Sequence, residues 1–122
     1  MFDERSPIYQ QIADGIKNDI VSGSLKEEEQ VMSTNQYAAF YRINPATAAK
    51  GFQILTEEGI LYKKRGIGMF VSPNARATLL KGRRERFFEE VVDKMVEEAR
   101  QIGVNMEEIV KHIEKRKEGG GV

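Results

Sequence analysis

The sequence has no cysteine, no tryptophan and a single histidine, His112, in 122 residues. Without thiols there is no disulfide framework, no Cys-ligated zinc and no thiol nucleophile. One imidazole cannot supply the paired ligands or base–nucleophile pairs of most metal and hydrolytic sites, so His112 reads as an exposed helix residue. The adjacent carboxylates Glu57 and Glu58 make no acid/base couple, because neighbouring residues on a helix diverge by about 100°. No enzyme, metal or cofactor is expected. Long apolar runs are missing too. No stretch approaches the roughly 18 residues of a membrane span, and Met1 to Pro7 holds no apolar leader, so a cytoplasmic protein with no membrane partner is expected. Net charge is the last absence: 19 Lys and Arg balance 19 Asp and Glu, which argues against a polybasic nucleic-acid tail but not against local patches.

What is present is a chain 40% apolar, enough for one compact core and too much for disorder. Its charges are segregated over short windows. Arg42 to Arg65 holds five basic residues against two acidic, a net of +3, and Arg76 to Arg86 five against one, a net of +4. Acid gathers at Glu27, Glu28 and Glu29 in a polar connector, and again along the last third.

The periodicities predict helices and one hairpin. Ser6 and Pro7 read as N-cap and first turn of a helix carrying Ile8, Ile12, Ile16 and Ile20, ended by Gly23. Ser33-Thr34-Asn35-Gln36 fits a capping box opening a short helix to about Tyr41, with Tyr37, Ala38 and Tyr41 inward. Asn44 and Pro45 open a third helix to Glu58 that buries Ala48, Phe52 and Leu55, and Gly51 inside it costs roughly 1 kcal/mol relative to alanine. Ile60–Lys64 and Met69–Ser72 are β-prone, and Gly66 and Gly68 between them suit a tight turn. A single helix from about Ala77 to Ile102 then carries Phe88, Val91, Val92, Met95, Val96, Ala99 and Ile102 on one stripe. Gly103 ends it, Asn105 caps a final helix, and Lys115 onward is expected to fray.

The fold class is therefore mainly α with a small β wing, a winged helix-turn-helix followed by a two-helix dimerisation tail. Residues 1–73 should form the winged domain, 74–118 the tail and 119–122 a disordered C-terminus. In such a fold the helix after the turn can enter a major groove about 12 Å wide, with its N-terminal residues at the base edges. Here these are Asn44, Ala46, Thr47 and Lys50. The wing tip, Lys63, Lys64, Arg65 and Gly66, can reach a flanking phosphate or the minor groove. The tail's stripe wants a partner, and Phe87, Phe88, Val91, Val92, Met95 and Val110 are expected to form a homodimer interface, whose groove leaves room for an unknown small effector. The competing reading is a winged helix used for protein–protein interaction without specific DNA binding.

Several segments together carry a resemblance: Pro7-Ile8-Tyr9-Gln10-Gln11-Ile12, Ile43 to Lys50, Leu55 to Leu61 and Arg65 to Val71. They resemble the DNA-binding domain of the GntR family of bacterial transcription regulators, and within it the YtrA-type subfamily, whose tail is two short helices. The resemblance implies a homodimeric repressor on an inverted-repeat, double-stranded DNA operator. It further implies DNA contacts from Ser33, Asn35, Arg42, Thr47, Lys50, Arg65 and Gly66. Two departures stand out: Lys26-Glu27-Glu28 where the family often has Lys-Pro-Gly, and Val31-Met32-Ser33-Thr34-Asn35 where it usually has Leu-Pro-Ser-x-Arg.

Overall fold

The computed structural model describes residues 2–119. They divide into two compact units, one reaching to Lys81 and one starting at Gly82.

In the first unit, α1 spans Ile8–Ser22 and buries Ile12, Ala13, Ile16 and Ile20. The expected cap at Ser6 is not used. Pro7 is extended, with φ −56° and ψ 144°, and takes the N-cap position, so its ring leads into the helix from outside. Ser6 instead offers its carbonyl to the Gln11 side-chain amide at 2.7 Å, because a helix turn brings Gln11 back under it. Gly23 closes α1 in the left-handed region, φ 88°.

Helix α2 (Thr34–Tyr41) and helix α3 (Pro45–Glu57) start as their sequences dictate. The Gln36 N–H donates to Ser33 Oγ at 3.1 Å and the Ser33 N–H donates to Gln36 Oε1 at 2.9 Å, a reciprocal box. Asn44 Oδ1 accepts from the Ala46 N–H at 2.8 Å, with Pro45 in the first turn. Tyr37 of α2 lies edge-on to Phe52 of α3, centroids 5.4 Å apart, and burial pushes its phenol up to about 12.

Strands β1 (Leu61–Lys64) and β2 (Gly68–Val71) pair antiparallel, Leu61 opposite Val71 and Lys64 opposite Gly68, around a three-residue turn with Gly66 at φ 77°. The acidic connector is more than a tether. Glu28 N–H donates to Val71 O, Val71 N–H to Glu29 O and Val31 N–H to Met69 O, so the segment lies along the free edge of β2 and Gln30 pairs with Phe70. No alternation announced this strand, because backbone groups on an open edge accept any exposed polar sequence.

Ile12, Ile16 and Ile20 meet Phe52, Leu55, Ile60, Leu61 and Val71 in one core, which Ala75 and Leu79 of α4 (Ala75–Arg86) complete. The first unit thus extends past the Pro73–Asn74 break.

The second unit departs from the single helix expected over Ala77–Ile102. Phe87–Val92 is π-helical, between α4 and α5 (Asp93–Ile102), and the Asp93 N–H donates five residues back to Phe88 O. Gly103 is left-handed and Val104 N–H closes on Ala99 O at 2.8 Å. Helix α6 (Met106–Glu118) has its own capping box, Asn105 with Glu108. It does not fray from Lys115 on: Lys115, Arg116 and Lys117 sit in the last turn, where cations favour the helix C-terminus. The disorder expected for 119–122 falls largely on residues 120–122, outside the described ones.

Candidate nucleic-acid interface

The tight turn between α2 and α3 begins with a strained residue. Arg42 holds φ 54° and ψ 51° as the C-cap of α2, a left-handed conformation that costs a non-glycine residue roughly 1 kcal/mol. Its N–H and that of Ile43 both return to Ala38 O, closing the helix, and Asn44 opens the next one two residues later. Along α3 the residues split by face: Ala48, Gly51, Phe52 and Leu55 are buried, Ala46, Ala49 and Lys50 are exposed and Thr47 is half-buried.

Gly51 proves to be a contact rather than a flaw. A Cβ there would stand 2.9 Å from Tyr9 O and 3.0 Å from Ile12 Cγ2, so only glycine lets α3 press onto the backbone of α1. Next to it, the Lys50 ammonium lies 4.0 Å from the Tyr9 ring centroid. Such a contact is worth about 0.5–1 kcal/mol at an exposed site, enough to park the charge and little enough to give up for a phosphate or base. Nothing local in the sequence links Tyr9 to Lys50, 41 positions away.

A second cluster forms where the start of α2 meets the wing. Ser33, Thr34 and Gln36 share a groove of about 410 Å³ with Gln30, Lys63 and Met69. The Ser33 hydroxyl oxygen is taken by the Gln36 N–H, which leaves its own hydrogen to donate outward. Strand alternation separates the wing's two lysines. Lys63 lines this groove, whereas the Lys64 ammonium lies over Phe70 on the opposite face, 4.5 Å from the ring centroid. Arg65 and Gly66 are exposed at the turn. Asn35 is exposed on the first turn of α2.

The sequence-predicted contacts therefore fall into two groups. Arg42, Asn44, Ala46, Thr47 and Lys50 gather at the α2–α3 turn, and Ser33, Asn35, Lys63, Arg65 and Gly66 at the α2 start and wing. Lys64 belongs to neither in this arrangement. From the adjoining basic window, the exposed Arg76 is tied to the end of α1, its Nε donating to Val21 O at 3.0 Å. The acidic connector is tied up as well: Tyr62 donates its phenol to Glu28 at 2.9 Å, and that bond to a carboxylate raises the phenol above its ordinary range.

On the second unit, Phe87, Phe88, Val91, Met95 and Val110 are exposed and Val92 is half-buried. No helix among the described residues is long and apolar enough to cross a membrane.

Comparison with known proteins places this geometry. Residues 8–71 match the model of the bacterial regulatory proteins of the gntR family. Over 118 residues the chain is 32% identical to the HTH-type transcriptional repressor YtrA of Bacillus subtilis, covering 94% of this chain and 90% of that protein, so the likeness runs through the tail. Among solved structures, a transcriptional regulator from Oenococcus oeni superposes with a TM-score of 0.84 at 26% identity, over 94% of both chains. A GntR family transcriptional regulator from Listeria monocytogenes gives 0.74 at 26% identity, over 93% of this chain and 98% of its own. The winged helix-turn-helix, its strained turn and its two-helix tail belong to a GntR-family transcriptional regulator, a DNA-binding protein and not an enzyme.

Proposed function

We propose that this regulator represses transcription in the cytoplasm by binding an inverted-repeat operator as a homodimer. The observation that carries the reading is the turn itself: an α3 start with Asn44, Ala46 and Lys50 exposed and Thr47 half-buried, flanked by a wing whose Lys63 shares a groove with the α2 N-terminus. Base edges are read by the α3 start, and phosphates are held by Ser33, Arg42, Lys63 and Arg65. Asn35 and Gly66 lie beside these phosphate contacts, and Lys64 joins them only by leaving Phe70. The dimer, joined through Phe87, Phe88, Val91, Val92, Met95 and Val110, sets two recognition helices about one DNA turn, roughly 34 Å, apart.

The test is selection of duplexes from a random library, followed by titration against salt. A palindromic consensus is expected, with log K falling against log salt at a slope near −7 if each protomer neutralises about four phosphates. Thr47→Ala should weaken the consensus more than random duplex, whereas Lys63→Ala should shallow the slope by about 1 per protomer. A wild-type chain that enriches no sequence would overturn the reading in favour of a protein-binding module.

A further inference from the structure

A two-stranded hairpin is marginal by itself, and the tip of this one projects, with Ile67 exposed. One side chain from far away in sequence reaches it. Gln30, paired through its backbone zone with Phe70, donates its side-chain amide Nε2 to the Ile67 carbonyl at 3.1 Å. Gly68 makes the reach possible: at φ 147° it carries no side chain, and a Cβ there would stand 2.5 Å from Gln30 Nε2. Three residues after Gln30 comes Ser33, the N-cap of α2. The same short segment is thus fastened at one end to the helix that opens the DNA-facing surface and, through one amide, to the loop that carries Arg65.

We infer that Gln30 is a positioning residue for DNA binding: its amide holds the wing tip at a fixed height against the α2 N-terminus. Lys63 and Arg65 then meet the backbone together with the recognition helix instead of being ordered on contact. The gain is one of preorganisation, since a tip that is already fixed loses less freedom on binding. This inference rests on the DNA-binding reading, but its first test does not need DNA.

In the free chain, Gln30→Ala should speed hydrogen exchange at the Ile67 amide, which donates to Lys64 O within the turn, by about fivefold, the factor of one neutral hydrogen bond. Gln30→Met, of similar length and without a donor, should do the same and serves if the alanine variant folds poorly. On a duplex recovered by wild-type selection, Gln30→Ala should weaken binding about fivefold. In an Arg65→Ala background the same change should cost less than in the wild-type chain, because only Lys63 then gains from a wing that is held. Unchanged exchange in both variants overturns the latch. So does a full fivefold loss that persists in the Arg65→Ala background, since Gln30 would then act independently of the wing. Failure of the wild-type chain to select any duplex would instead strike the DNA-binding reading, with the exchange result still deciding whether the latch exists.

Discussion

The two units of this chain handle apolar surface in opposite ways. In the winged unit, Ile12, Leu55 and Val71 are wholly buried and the cations of the turn and wing face outward. In the tail, Ala99 is the one buried residue among the described positions from Gly82 on, while Phe88 and Val91 are 57% and 54% exposed. Left-handed Gly103 stops α5 and the Asn105–Glu108 box starts α6, so the exposure is not poor helix formation. A unit of about 40 residues with caps but no core is incomplete, and apolar surface of this extent marks an interface. The winged unit buries its apolar residues in its own core, whereas the tail leaves its stripe exposed, and it is this stripe that the proposed homodimer would cover.

The sharpest way to break that contrast is to charge the tail stripe. Burial of a large apolar side chain is worth about 1.5–3 kcal/mol, and a two-fold interface counts it twice, so Val91→Asp should weaken dimerisation by some 3–6 kcal/mol. Sedimentation should show a monomer at micromolar concentration, with the winged unit's helical signal retained. A variant that remained dimeric would refute the tail interface. Next in size is Gly51→Ala in the winged unit. Helix propensity favours alanine by about 1 kcal/mol, but overpacking against Tyr9 and Ile12 costs about 1–3 kcal/mol, so the net expectation in chemical denaturation is a loss. Stabilisation would mean that α3 does not press on α1 as closely as the geometry requires.

Both predictions show where sequence reasoning reached and where it stopped. The boxes at Ser33–Gln36 and Asn105–Glu108 were legible because donor and acceptor lie within three residues and need no tertiary information. The hairpin, the core stripe of α1 and the α2–α3 turn followed from period and punctuation. Gly51 was legible only as a cost, because the backbone it accommodates lies about 40 residues earlier. Gln30 was invisible for the same reason: its partner carbonyl is 37 positions on, and an acid-rich segment carries no strand signal. Glu28 is a related case. It stands where the resemblance expects glycine and holds a left-handed backbone, φ 67°, with its carboxylate engaged by Tyr62. Of the expected site, the α3 start is where the sequence put it, and the wing lysines divided by a period of two that the sequence contained but that gains meaning only once a face is assigned.

Arg42 offers a smaller effect that separates stability from function within the winged unit. Its left-handed cap suits glycine, so Arg42→Gly should stabilise the unit by up to about 1 kcal/mol while weakening operator binding through loss of a phosphate contact. Opposite signs from denaturation and titration are the expected result. Equal binding by the variant would remove Arg42 from the interface and leave its strain without a purpose.

The smallest effect uses a difference in composition. All four tyrosines, Tyr9, Tyr37, Tyr41 and Tyr62, lie in the winged unit, so alkaline titration of phenols reports on that unit alone. Burial raises Tyr37 to about 12 from an ordinary 10, and the fold therefore prefers the neutral phenol. The associated stability is complete below pH 10 and is lost as pH climbs from 10 toward 12, where the unfolded chain ionises first. The informative quantity is the difference between wild type and Tyr37→Phe: the variant's denaturation midpoint should fall less steeply between pH 10 and 12. Parallel curves would mean that Tyr37 is as well solvated in the fold as out of it, and that the aromatic contact between α2 and α3 is looser than the 5.4 Å ring separation implies.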